Sequence, residues 1–237
     1  MKILIVEDEE AIARGLKFNF EQEGYETVLA DDGPAALECF EEGDRPFDLV
    51  VLDLMLPGIS GYDVCRAIRE KDAHLPILVL SARTLPEDKV QAFELGTDQY
   101  MTKPFALPEL LARVRNLVAR RPVGGAPAPN GAKSARQYRF GRVLVNFDTF
   151  EVHVGETVHA LTTLEMKLLT YFVENAGSVL ARSQILRDVW EEQADITTRA
   201  IDNFVLRLRR IIEEDPAEPR HILSVRGTGY RFVGEPD

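Results

Sequence analysis

Residues 49–61, LVVLDLMLPGISG, hold the key to how this chain folds. Four apolar residues, Leu49 to Leu52, run into Asp53. Leu54, Met55 and Leu56 follow, and Pro57 and Gly58 break the run. A continuous apolar run closed by turn formers reads as a strand buried on both faces, the kind that parallel sheets contain. Desolvating a carboxylate at the end of such a strand is costly, so Asp53 calls for a cation or a chemical task.

The flanking sequence alternates strand-like and helix-like stretches. KILIV (2–6) is a short apolar run, and Ile12, Leu16 and Phe20 after it share one helical face that Gly24 closes. YETVLA (25–30) reads as a strand and GPAALECFEEG (33–43) as a helix. After Asp53, GYDVCRAIRE (61–70) sets Val64 and Ile68 on one helical face. PILVLS (76–81) and DQYMT (98–102) are strands, and PEDKVQAFELG (86–96) and LPELLARVRNLVARR (107–121) are helices. Five strands alternating with five helices imply a parallel sheet covered on both faces over residues 1–121; the resemblance set out below makes it a doubly wound, flavodoxin-like one. In such sheets ligands bind beyond the carboxyl ends of the strands.

Residues 122–137, PVGGAPAPNGAKSARQ, hold three prolines and three glycines without apolar periodicity, a linker composition. A flexible linker of this length spans roughly 20–24 Å. Residues 138–237 change rhythm. Short strand-like runs over 138–161 lead to helical patterns near 163–175, 183–190 and 197–212, and HILSVRGTGYRFV ends the chain as a hairpin. That order predicts an α+β winged helix-turn-helix domain.

The net charge of −11 argues against indiscriminate nucleic-acid binding. Residues 1–121 carry 23 acids against 14 bases, a net of −9. The rest carries 16 against 14, a net of −2, so a nucleic-acid surface has to be local and in the second half. No apolar stretch reaches the roughly 18 residues of a membrane span. The apolar core of the N-terminus is too short for a signal peptide, so a cytoplasmic protein is expected. Cys39 and Cys65 lack metal-type spacing and are expected as reduced thiols.

Asp53 can now be placed among neighbours. Glu7 and Asp8 end the first strand, Ser81 ends the fourth and Lys103 follows the fifth. Parallel strands put these ends on one edge of the sheet, so three carboxylates converge with a hydroxyl and an ammonium. Like charges at close range need a cation, and hard oxygen donors in an open site suit Mg2+. Taken singly, each group has a plain reading: solvated acids, a turn lysine, a local hydrogen bonder. Their common edge is what favours a site.

At this point the sequence resembles bacterial two-component response regulators. VEDEE, VVLDLMLPG, LVLSAR and YMTKPF match the receiver domain in order and spacing. LTTLEMKLL, RAIDNFVLRLRRII and VRGTGYRF match the winged-helix effector of the OmpR/PhoB subfamily. The resemblance implies that Asp53 takes a phosphoryl group from a sensor histidine kinase. Asp8, Asp53 and the backbone carbonyl of Met55 would ligate Mg2+, with Glu7 acting mainly through bound water. Lys103 would pair with a phosphoryl oxygen, its bond to Pro104 being cis. Ser81 would move toward the phosphate, and Tyr100 would rotate inward to fill the vacated space.

The resemblance also implies a two-fold receiver dimer through a charged face that contains Lys89, Glu94, Asp98, Glu109, Arg113, Arg115 and Arg120. Lys89 would meet Glu109, and Glu94 would meet Arg115. Gln99 stands where the subfamily usually has Asp, which deprives Arg113 of a charged mate and weakens the expected dimer.

On the helix at 197–212, Ile201, Val205, Leu208 and Ile212 form a core stripe. Arg199, Asn203, Arg207 and Arg210 lie on another face and suit base edges and phosphates in double-stranded promoter DNA. Arg199, Asn203 and Arg207 are expected at bases. Arg209, Arg210, Arg226 and Arg231 are expected at phosphates, with Thr228 at the hairpin tip beside them. Phe204 and Leu206 have two readings, thymine contact or packing on the wing. Thr162 with Glu165 reads as a capping box. The loop EEQADIT (191–197) is either a solvated connector or, as in the subfamily, a contact for RNA polymerase.

Two rival readings fit less well. A phosphohydrolase of the haloacid-dehalogenase type would need a second acid two residues after Asp53, where Met55 stands. A DNA-binding protein whose receiver only dimerises would not need the full pocket. The expected protein is therefore a regulator and not an enzyme, with slow self-dephosphorylation at most.

Overall fold

The computed structural model describes residues 1–42, 47–120, 136–190 and 198–235. The chain divides into two compact units, Met1–Arg121 and Pro122–Asp237.

The first unit contains β1 (Lys2–Val6), α1 (Glu10–Gln22), β2 (Glu26–Ala30), α2 (Gly33–Glu42), β3 (Leu49–Asp53), α3 (Gly61–Lys71), β4 (Ile77–Ser81), α4 (Pro86–Glu94), β5 (Gln99–Thr102) and α5 (Leu107–Arg120). Its strands form one parallel sheet in the order β2-β1-β3-β4-β5, the flavodoxin-like order, whose ligand crevice lies at the β1/β3 switch point. Asp53 belongs to the strand at that point. β3 and β4 are buried along their whole length, as the apolar run at Leu49 predicts. Ile3, Ile5, Leu49, Val51, Leu78, Leu80 and Met101 face one way and pack on Leu16 and Phe20 of α1 and Leu110, Val114 and Leu117 of α5. The intervening Leu4, Val6, Val50, Leu52 and Val79 point to the other face and are buried too.

The second unit opens with an antiparallel sheet, β6 (Gln137–Phe140), β7 (Val143–Asn146), β8 (Glu151–Val154) and β9 (Thr157–Ala160), paired in sequence order. α6 (Thr163–Glu174), β10 (Val179–Ala181), α7 (Arg182–Trp190), α8 (Thr198–Ile212), β11 (Ile222–Val225) and β12 (Gly229–Phe232) follow. The C-terminal hairpin gains a third strand, because β10 pairs with β12 in a sheet of order β10-β12-β11. Three residues are too few for a legible alternation, so the sequence reading missed β10. The capping box at the start of α6 is present, with Glu165 N–H on Thr162 Oγ1 and Thr162 N–H on Glu165 Oε2.

Residues 122–135 of the expected linker and the loop 191–197 lie outside the described residues. Arg136 and Gln137 are part of the second unit: Gln137 begins β6, and Arg136 donates to Asp148 and Glu174. Among the described residues no helix is long and apolar enough to cross a membrane.

Candidate functional site

Three strand ends build the first site. Ligand oxygens of Glu7, Asp8 and Asp53 all lie within 4.8 Å of one another, with Asp8 exposed and the other two buried. The Asp53 residue is 4% exposed. Its Oδ1 accepts the Met55 N–H at 2.8 Å, and its Oδ2 lies 2.6 Å from Lys103 Nζ, which also donates to Glu7 Oε1 at 2.7 Å. Lys103 follows β5 and precedes Pro104 through a cis peptide bond. The carboxylate at the end of the apolar strand is thus held by one ammonium and one backbone N–H.

Burial raises the Glu7 carboxyl above its usual range, against the pull of Lys103. Burial disfavours the Lys103 ammonium, but its hydrogen bonds to Asp53 and Glu7 more than offset this and raise its pKa. Three carboxylates facing one ammonium leave an excess of acid on an open side where Asp8 meets solvent. Hard oxygen donors of that kind fit Mg2+.

Ser81 is buried at the end of β4, and its Oγ accepts the Arg83 N–H at 3.3 Å. Tyr100, expected to swing inward on phosphorylation, is already buried here and donates to the Arg83 carbonyl at 2.9 Å. Burial pushes its hydroxyl up to about 12, so it remains a donor at neutral pH. Arg83 escaped the sequence reading. Its guanidinium reaches Asp88 at 2.8 Å and the Met55 sulfur at 3.0 Å, joining the start of α4 to the loop after Asp53.

The charged face is only partly as expected. Glu94, Glu109 and Arg115 are exposed. Asp98 is buried and accepts from Arg69 at 2.9 Å and from the Ile77 N–H at 2.8 Å, so it ties α3 to β4 and leaves the exposed face. Lys89 is buried too, its ammonium 5.9 Å from the centre of the Tyr100 ring. Arg115 pairs with Glu23 at the end of α1. Arg113 does have a charged mate, Glu109, at 2.8 Å, and it also donates at 3.0 Å to the side-chain oxygen of Gln99, a hydrogen bond from a cation to an uncharged amide. The Arg120 side chain lies outside the described ones.

The second site is α8 with the β11–β12 turn. Ile201, Val205, Leu208 and Ile212 are fully buried, as the stripe predicts. Asn203, Leu206, Arg207 and Arg210 lie on the outward side, Leu206 and Arg210 exposed and the other two half-buried. The Arg199 side chain lies outside the described ones. Phe204 is core: its ring meets that of Trp190 edge to face at 5.3 Å, which rules out thymine contact. Arg226, Thr228 and Arg231 are exposed on the wing, and Gly227 takes φ +73° at its tip.

Arg209 departs from its expected role as a phosphate grip. It donates to the Ile222 carbonyl through Nε and Nη2 and to Ser224 at 3.0 Å, because its direction from α8 points it at β11 and not at solvent. Tyr230 was also missed. Its hydroxyl donates to Asp202 of α8 at 2.6 Å, and Arg182 both pairs with Asp202 and lies over the Tyr230 ring. This cluster locks wing, α7 and α8 together, and its members stand too far apart in sequence for any local pattern to join them.

A response regulator receiver domain matches residues 3–115, and the C-terminal domain of transcriptional regulatory proteins matches residues 155–232. The sensory transduction protein RegX3 of Mycolicibacterium smegmatis is 40% identical over 232 residues, covering 98% of this chain and 99% of its own. The alkaline phosphatase synthesis transcriptional regulatory protein PhoP of Bacillus subtilis is 38% identical, covering 98% of this chain and 96% of its own. A solved structure of a RitR mutant covers 98% of both chains at TM-score 0.70 and 24% identity, which speaks to the fold alone.

Proposed function

Because this chain belongs to the response regulators that join a receiver domain to a C-terminal transcriptional regulatory domain of the OmpR/PhoB type, we propose that phosphorylation of Asp53 controls its binding to promoter DNA. The observation that carries this reading is Asp53 itself, buried at the switch point between Lys103 and the Glu7–Asp8 pair.

The donor is the phosphohistidine of a sensor histidine kinase. An Asp53 carboxylate oxygen forms the new bond to phosphorus as the bond from phosphorus to the imidazole nitrogen breaks, and the imidazole leaves. Asp8, Asp53 and the Met55 carbonyl would hold Mg2+, with Glu7 acting mainly through bound water. When bound, the ion offsets negative charge on the transferring group. Lys103, already 2.6 Å from Asp53 Oδ2, exchanges carboxylate for a phosphoryl oxygen. Ser81 donates its hydroxyl to the phosphate. Tyr100 carries the change to the face of α4, β5 and α5 by keeping or losing its bond to the Arg83 carbonyl. With Met55 in place of a second acid, no side chain there activates water, and self-dephosphorylation is slow.

Phosphorylation favours a two-fold receiver dimer through Glu94, Glu109, Arg113 and Arg115, and so presents two α8 helices to paired half-sites in cytoplasmic DNA. Arg199, Asn203 and Arg207 meet bases. Arg210, Arg226, Thr228 and Arg231 meet phosphates. The segment 191–197 is the candidate contact for RNA polymerase.

Treating the protein with acetyl phosphate and Mg2+ and reading its intact mass tests the first step. Wild type is expected to gain one phosphate and Asp53→Asn none. A phosphate on Asp53→Asn would move the acceptor elsewhere. Asp8→Asn is expected to lose most Mg2+ affinity by titration, and an unchanged titration would relocate the metal.

A further inference from the structure

Glu165 is a buried carboxylate that uses only one of its two oxygens in the capping box. It is the third residue of α6 and only 2% exposed. Its Oε2 accepts the Thr162 N–H at 2.8 Å, which fixes the carboxylate plane. Its Oε1 lies 2.8 Å from Nη2 of Arg207 on α8. The Arg207 side chain remains 34% exposed, on the side that also holds Asn203, Leu206 and Arg210. A rigidly held acid thus meets one terminal nitrogen of a guanidinium that still meets solvent on the helix assigned to DNA.

We propose that Glu165 is a positioning residue for DNA readout: it fixes the plane of Arg207 and cancels its charge, so that Arg207 chooses a base and contributes little to general phosphate attraction. The proposal rests on the assignment of α8 as the DNA-facing helix and of Arg207 as a base reader.

Two physical arguments carry it. A guanidinium recognises guanine O6 and N7 through a planar fork, which discriminates only when the fork is correctly oriented. Holding a rotamer-rich side chain before binding removes part of its ordering cost. Phosphate attraction, by contrast, counts cations whatever their orientation, each adding about 0.9 to the salt slope on duplex DNA. A guanidinium paired with a buried carboxylate counts for less. Losing the Glu165 charge therefore pushes the two kinds of binding in opposite directions.

Glu165→Gln isolates this effect, because glutamine also closes a capping box. The full chain as wild type, Glu165→Gln and Arg207→Ala would each select sites from a random duplex pool. Each would then be titrated with the selected site and with random DNA over a range of salt. For Glu165→Gln we expect the ratio of site to random affinity to fall about tenfold, within the range of one bidentate base contact. Preference should relax at the base position that Arg207→Ala also relaxes. Affinity for random DNA should rise, and the salt slope should steepen by up to about one.

Partial unfolding lowers both affinities by one factor, so that result, or an unchanged ratio, overturns the proposal. If Arg207→Ala changes the motif and Glu165→Gln does not, the proposal fails alone. If Arg207→Ala leaves the motif unchanged, the reading of Arg207 fails and takes the proposal with it. Nitrogen-edited NMR of the wild type needs no variant: a pinned Arg207 gives separate Nη signals with and without DNA, and a single averaged signal overturns the proposal.

Discussion

Gly61 stands against the backbone that carries Asp53. A Cβ at Gly61 would lie 2.1 Å from the Asp53 carbonyl oxygen and 2.6 Å from Leu54 Cα. Backbone cannot yield as a flexible side chain can, so any other residue here shifts the loop that orients the carboxylate. Gly61→Ala is expected to destabilise the first unit by roughly 1–3 kcal/mol, the usual range for overpacking. It should also slow phosphorylation of Asp53. Urea unfolding and the rate of mass gain with acetyl phosphate measure the two, and a variant equal to wild type in both would show that the loop gives way freely. At this scale the pocket was legible: Glu7, Asp8, Asp53, Ser81 and Lys103 end or follow strands whose ends share one edge of a parallel sheet. Gly61 was legible only as the start of a helix, because its constraint comes from backbone eight positions earlier.

Among the elements, α8 and β11 are fastened at both ends of their connection. Glu213, buried just beyond α8, accepts the backbone N–H groups of Arg220, His221 and Ile222. One helical turn earlier, Arg209 donates to the Ile222 carbonyl and to Ser224. Arg209 is thus a strut between α8 and β11. Arg209→Ala is expected to destabilise the second unit by about 2 kcal/mol, typical for lost hydrogen bonds to a charged group, and to leave the salt slope of DNA binding nearly intact. Arg210→Ala should do the reverse, with unchanged stability and a slope smaller by about one. Chemical denaturation and salt titrations of both variants decide between them. A stable Arg209→Ala protein with a flattened slope would restore Arg209 to the phosphate contacts.

Over the whole molecule, charge is divided between the units: −9 over residues 1–121 and −2 over the rest. An acidic protein that binds DNA depends on a local basic surface, and the outward side of α8 with the wing is the proposed one. Dimerisation is the proposed link between phosphorylation and that surface, and Gln99 is where it can be tuned. Gln99→Asp would offer Arg113 of a partner copy an acid across the proposed dimer face, where the amide now bonds Arg113 of its own chain. It should tighten the phosphorylated dimer by about fivefold, the order of one ion pair at a protein surface, and the gain should shrink at high salt. Sedimentation of both phosphorylated proteins at two ionic strengths reads this directly, and equal dimer constants would remove Gln99 from the interface.

Apart from β10, the elements, their order and the edge of the sheet where the carboxylates gather can be read along the chain. Periodicity sets the side of a strand or helix from which each residue leaves the backbone, and parallel connections set which strand ends lie together. What each charged side chain meets was left to packing. Asp98 turned inward to Arg69 and Arg209 to β11, Arg207 met Glu165 while still facing solvent, and Phe204 entered the core beside Trp190. Local pattern gives a side chain its direction, but its partner is whatever a distant segment packs opposite, and that is settled when the chain closes on itself.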